Sequence, residues 1–187
     1  MRWLKGRPPE EWYLPHHRVR DALQSYWEHQ GMHAPAMTLP PELNYAGQYK
    51  LREQDPGSLA YTFTYGAAAF FVMDTRSMRV KGKSGKAMLG EGQWQALEDW
   101  LRAVKDDFPL KFLVTSCSAL YSMWTDIPRD RLLRFIGGND IQGVYLLAGN
   151  RHSAHAISAE CGPRRNPVHI CEFCSTPFEQ DTNPLSR

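Results

Sequence analysis

Residues 67–148 alternate between short apolar runs and amphipathic stretches, and this alternation restricts the fold more than any other feature of the sequence. Ala67 to Met73 is a continuous apolar run of strand length following a turn at Gly66, the pattern of a strand buried on both faces. Gly90-Glu91 opens a helical pattern with Trp94, Leu97, Leu101 and Val104 on one face. A strand over Phe112–Ser116 follows, then a short helix over Pro128–Ile136 with Gly137-Gly138 as its stop, then a buried strand over Val144–Leu147. Strand, helix, strand, helix, strand is a βαβαβ unit, whose right-handed crossovers give a parallel sheet covered by helices. The fold class predicted is α/β.

The flanks add less. Tyr61, Phe63 and Tyr65 alternate with threonines before Gly66, and strand-like runs recur near Ala154–Ala159 and Val168–Phe173. Upstream, Val19, Ala22, Leu23, Tyr26 and Trp27 fall on one helical face, closed by Gly31. Pro35, Pro40, Pro41 and Pro56, with Asn44 and Gly57, make residues 34–58 a long connecting loop, and residues 1–17 read as a loop or trimmed edge. A length of 187 residues is that of one ordinary domain, and 42% hydrophobic with 22% charged residues is a globular composition.

Charge and hydropathy exclude several partners. A net charge of +2 supplies no field for nucleic acid or an anionic membrane. No apolar run reaches the roughly 18 residues of a membrane span. MRWLKGRPPEEWYLP has no apolar core after its basic residues, so no signal peptide is expected. The four cysteines, Cys117, Cys161, Cys171 and Cys174, are too sparse for a disulfide scaffold. Cys171-x-x-Cys174, near His169 and Cys161, has half the spacing of a zinc knuckle but lacks a second spaced pair, so buried thiols within a strand are the favoured reading.

In an open parallel sheet, ligands bind outside the carboxyl ends of the strands. Three polar clusters stand at those ends: Asp74, Thr75 and Arg76; Ser116, Cys117 and Ser118; Asn150, Arg151 and His152. Together they predict a small-molecule site along one rim. Asn150 and His152 are two apart, so both can address one point, as metal ligands or as a turn residue and a strand cap. Asp74 and Arg76 are expected to form an ion pair, the alternative being that Arg76 or Arg79 holds an anionic substrate. Trp124 fits a pocket wall or the core equally, and His155 is expected to be a hydrogen-bonded structural histidine. No nucleophile elbow, Walker loop or dinucleotide fingerprint is present.

Several segments, in order, resemble the alkaline phosphatase D-like (PhoD-like) metallophosphoesterases. They are Tyr65-Gly66 with FFVMDTRSMR (70–79), MLGEGQWQALEDWL (88–101), KFLVTSCSAL (111–120), Trp124, RDRLLRFIGGNDIQGVYLLAGNRHSAHA (129–156) and HICEFCSTPFEQ (169–180). The resemblance implies the C-terminal part of a layered metallophosphatase sheet flanked by helices. It also implies a phosphate ester substrate, and iron and calcium or other divalent ions that neutralise phosphoryl charge and activate the attacking oxygen. It places His152 as a catalytic and metal-binding residue with Asn150 in the motif's acid position as fellow ligand; the substrate contacts expected beside them are Arg76 and Arg151, the latter either clamping an anion or facing away. Members of the family are often exported.

Two departures alter what carries over. The family's early Cys or Asp, its G-D-x-x-Y segment and its histidine-acid segment, which supply most metal ligands, do not occur here. An N-terminal half of the domain is therefore the partner implied. The late G-D-x-H motif reads Gly149-Asn150-Arg151-His152, and an amide at Asn150 brings no negative charge to a dication. The expectation is a phosphoesterase domain that is weakly active or inactive alone, or else a non-catalytic anion-binding domain derived from it.

Overall fold

The computed structural model describes Ser25, Tyr26, His29 and residues 59–76, 88–121 and 123–175. In chain order these give β1 (Tyr61–Tyr65), β2 (Ala68–Val72), α1 (Glu91–Ala103), β3 (Leu110–Val114), α2 (Asp126–Gly138), β4 (Val144–Ala148), β5 (His155–Cys161) and β6 (Val168–Cys174). The strands join in one sheet ordered β1-β2-β3-β4-β6-β5. β2, β3, β4 and β6 run parallel, and β1 and β5 pair antiparallel at the two edges. The βαβαβ unit expected from residues 67–148 is present, and the α/β class holds. Ser25, Tyr26 and His29 are helical; the rest of the helix expected upstream, the loop over 34–58, residues 1–17 and Arg79 lie outside the described residues.

Strand periodicity sorts the side chains onto two faces. Phe71, Leu113, Val144, Leu146, Val168 and Ile170 point to one face and meet Trp94, Leu97 and Leu101 of α1 and Leu132 and Ile136 of α2 in a single core. Each such side chain contributes about 1.5–3 kcal/mol by leaving water. The two helices are tied together by Arg131, whose guanidinium grips both oxygens of Glu91 at 2.9 Å, bonds Glu98 at 2.9 Å and lies 4.7 Å over the Trp94 ring. Trp124, from the loop before α2, packs edge-on against Trp94 at 6.4 Å and is 2% exposed, so of its two expected roles it takes the core one.

The other face carries a row of aromatics in direct register, Phe63↔Phe70↔Phe112↔Tyr145, with successive centroids 4.5, 4.9 and 5.5 Å apart. Phe173 extends the row diagonally, 6.4 Å from Tyr145. Phe63 and Phe173, at its two ends, are 38% and 47% exposed.

Two sequence expectations need correction. The helix after β3 begins at Asp126, two residues before Pro128, because proline needs no N–H partner in a first turn. Gly137-Gly138 does not stop it, since both remain helical and Asn139 forms the C-cap. What Gly137 provides is clearance: a Cβ there would run into the backbone of Gly162 and of Cys161, the latter at 2.8 Å.

The Cys-x-x-Cys segment lies wholly within β6, where alternation puts buried Cys174 on the core side with Glu172, and Cys171 on the side of exposed His169 and Phe173. Thiols on opposite faces cannot grip one ion. Burial pushes the Cys161 thiol up, and burial followed by the charge of Glu172 does the same to Cys174. A raised thiol carries less of the reactive thiolate. Iodoacetamide at neutral pH should therefore label Cys171 first and Cys161 second, with buried Cys117 and Cys174 reacting only on unfolding. Time-resolved peptide mass spectrometry checks this order, and early labelling of Cys174 would contradict it.

Candidate functional site

The parallel strands end together along one rim. Beyond β2, Met73 N–H still bonds the Val114 carbonyl at 2.9 Å; beyond β3, Thr115 N–H bonds Leu147 at 2.9 Å; beyond β6, Ser175 N–H bonds Ala148 at 3.1 Å. β5 starts at this same rim, because His155 pairs with Cys174. The three polar clusters foreseen from sequence are thus lined up, and a fourth contributor, the start of β5, joins them.

The first cluster is held from α1. Buried Gln93 treats Asp74 as a strand partner: its Oε1 accepts Asp74 N–H at 2.8 Å while its Nε2 donates to the Asp74 carbonyl at 2.9 Å and the Leu89 carbonyl at 3.1 Å. Asp74 Oδ1 then accepts the backbone N–H of Arg76 at 2.9 Å. Among the described residues the two meet through this turn rather than through the ion pair expected between their side chains, and Arg76 itself is exposed. Thr75, 1% exposed, shares a short hydroxyl–hydroxyl bond with Ser116 and so joins the first cluster to the second.

The second and third clusters meet through a residue that the sequence reading passed over. Glu172 of β6 is fully buried. Its Oε2 accepts the backbone N–H groups of Ala119 at 2.6 Å and Leu120 at 3.0 Å; its Oε1 accepts a short bond from Ser118 Oγ and faces His155 Nε2 at 3.0 Å. Ser118 Oγ also accepts Tyr121 N–H at 3.0 Å, so its own proton goes to Glu172. A buried carboxylate is tolerated only when its lone pairs are met in this way. One acid thereby sets the loop 118–121 and the start of β5. The signal available in sequence was an acid in the inward register of a strand, between Ile170 and Cys174.

Tyr121 links this centre to the last cluster. Its ring lies 5.6 Å from the His155 ring, and the Arg151 guanidinium sits over it at 3.6 Å while bonding the Tyr121 carbonyl at 3.2 Å. Arg151 is therefore pre-ordered at the rim. Asn150 and His152 both adopt left-handed backbone, at φ 63° and 61°. Asparagine accepts that conformation readily and histidine less so, which gives the segment a sharp double turn. Asn150 is exposed and His152 half-buried. Among the described residues, no group of three or more His, Cys, Asp or Glu is placed to hold a metal ion. Asn150 and His152 do not by themselves fit the cations that the family resemblance implies. Nor, among the described residues, is any helix long and apolar enough to cross a membrane.

The mixed α/β sheet gathers its polar groups on the carboxyl rim of its parallel strands, the place where open α/β sheets commonly bind ligands. The family follows from comparison: the model of the PhoD-like phosphatases matches residues 5–186, and the chain belongs to that family. A solved structure titled "Structure of PhoD" shares the fold with a TM-score of 0.61 at 21% identity, covering 92% of this chain and 35% of that one. The chain thus spans about a third of the length of the structure it matches. No curated protein matches the sequence.

Proposed function

We propose that this chain supplies the phosphate-binding rim of a metal-dependent phosphoesterase domain and does not hydrolyse phosphate esters efficiently by itself. The observation that carries this reading is a PhoD-like family match over nearly the whole chain, combined with a rim where Asn150 stands in the acid position of the family's late motif. Arg151, ordered by Tyr121, and Arg76 are assigned to the anionic phosphoryl group, which guanidinium binds bidentately. His152 is assigned as the catalytic group of the late motif, and His152 with Asn150 as this chain's share of a metal site. Iron and calcium are the ions implied by resemblance, and the remaining donors must come from elsewhere in a complete domain.

The same reading accounts for the aromatic face. Parallel strands are normally covered on both faces, and the row from Phe63 to Phe173 offers the remainder of the domain, about two thirds of the matched structure, a surface on which to pack.

With bis(p-nitrophenyl) phosphate and added iron, calcium or manganese, the purified chain should show no robust turnover. Turnover abolished by His152→Ala would overturn the proposal. Inorganic phosphate should raise its melting temperature, and Arg151→Ala should weaken phosphate binding about 10- to 100-fold, the worth of a charge-assisted hydrogen bond of about 1.5–3 kcal/mol. Asn150 also favours a second reading, a purely anion-binding domain. That reading predicts phosphate binding without turnover even when the rest of a phosphatase domain is supplied.

A further inference from the structure

The buried acid and the histidine beside it do more than hold the fold. We propose that Glu172 is a positioning residue for His155: it keeps the imidazole in its Nε2–H tautomer and so presents an unprotonated Nδ1 at the carboxyl rim, as an acceptor for an O–H-bearing ligand. Placing that ligand in the phosphate site rests on the function proposed above; the tautomer does not.

The argument is one of counting protons. Glu172 Oε2 is committed to two backbone N–H groups, and backbone nitrogen has no other role to take. Oε1 receives the proton of Ser118, whose oxygen is already an acceptor for Tyr121 N–H. His155 Nε2, 3.0 Å from the same oxygen, therefore has only one favourable state, which is donor. In a neutral ring the proton on Nε2 leaves Nδ1 with its lone pair. Nδ1 makes no hydrogen bond to a described residue, and the His155 side chain is 15% exposed while its carboxylate partner is fully buried. The ring is thus fixed at one nitrogen, and among the described residues the other has no hydrogen-bond partner. This is the arrangement by which carboxylates orient histidines for ligation or proton transfer. Its location at the first residue of β5 puts it beside Tyr121 and hence close to Arg151. The chemical class that fits is a phosphate monoanion carrying one proton, or a water held beside a phosphate.

Glu172→Gln tests this with an isostere. The two backbone N–H groups will claim the amide oxygen, which turns the amide nitrogen toward Ser118 and His155. A donor now faces Nε2, so the proton must move to Nδ1. Side-chain nitrogen–proton correlation spectra of the neutral ring should show His155 at least about tenfold in favour of Nε2–H in the wild type and reversed in the variant. An unchanged tautomer in Glu172→Gln overturns the proposal. If that variant does not fold, the wild type decides, because a predominant Nδ1–H form is equally fatal. Inorganic phosphate titrated into the wild type should move the His155 ring signals together with the Arg151 side-chain signals. Movement of Arg151 alone would remove His155 from the ligand site. Movement of neither would sink the phosphate reading, and the tautomer would still decide the role of Glu172.

Discussion

Glu172→Ala is expected to lower the unfolding free energy by about 3–5 kcal/mol, the cost of breaking a buried charged network by removing one member. Three donors lose their acceptor at once: Ala119 N–H, Leu120 N–H and the Ser118 hydroxyl, with His155 as a fourth at the edge of the network. Burying a carboxylate is itself unfavourable, so its loss offers some relief. That relief is small here, because the backbone donors stay in place and each unsatisfied buried group costs about 1–3 kcal/mol. Against a total stability of about 5–15 kcal/mol for a domain, the loss should move the urea midpoint far, with tryptophan fluorescence as the readout. The amides of Ala119 and Leu120 should also exchange much faster with solvent. A loss under about 1 kcal/mol would mean that these donors find other partners and that Glu172 is not the organiser of the rim.

The elements of this fold were largely legible because each carries a local pattern, either a continuous apolar run or a helical period. The run Ala67–Met73 and the spacing of Trp94, Leu97 and Leu101 announce a strand and a helix locally, and the observed β2 and α1 fall on them. Pairing was less legible. β6 slots between β4 and β5, and nothing in the two strand-like runs after Asn150 tells which takes the inner place until their burial is known. The rim clusters were placed correctly by a single rule about strand ends, yet the bonds that join them were hidden. Gln93 bridges to Asp74 across 19 residues and Glu172 to Ala119 across 53. In both cases the partner is a backbone N–H, which every residue but proline possesses, so no residue type marks it. The roles expected for Arg76, Asn150, Arg151 and His152 depend on a ligand and stand as proposals.

The glycine pair after Ile136 shows how far local signals mislead, and it allows a prediction in which neighbouring substitutions differ in sign. Gly137→Ala is expected to cost about 2 kcal/mol or more. The added methyl would meet the α-carbon of Gly162 at 2.7 Å and the carbonyl carbon of Cys161 at 2.8 Å. These are backbone atoms that cannot rotate away, so α2 and the end of β5 must separate, as in other overpacked interiors. The intrinsic helical preference for alanine, about 0.5–1 kcal/mol over glycine, opposes this and is too small to cancel it. At Gly138 the same methyl meets nothing within 4 Å. There only the backbone entropy term remains, reduced by the position near the helix end, and Gly138→Ala should stabilise by about 0.5 kcal/mol. Urea denaturation of the two variants beside the wild type checks both signs. Equal, small effects would show that α2 does not rest on β5 at Gly137. A loss at both positions would show instead that the pair is needed to end the helix, as its sequence alone implies.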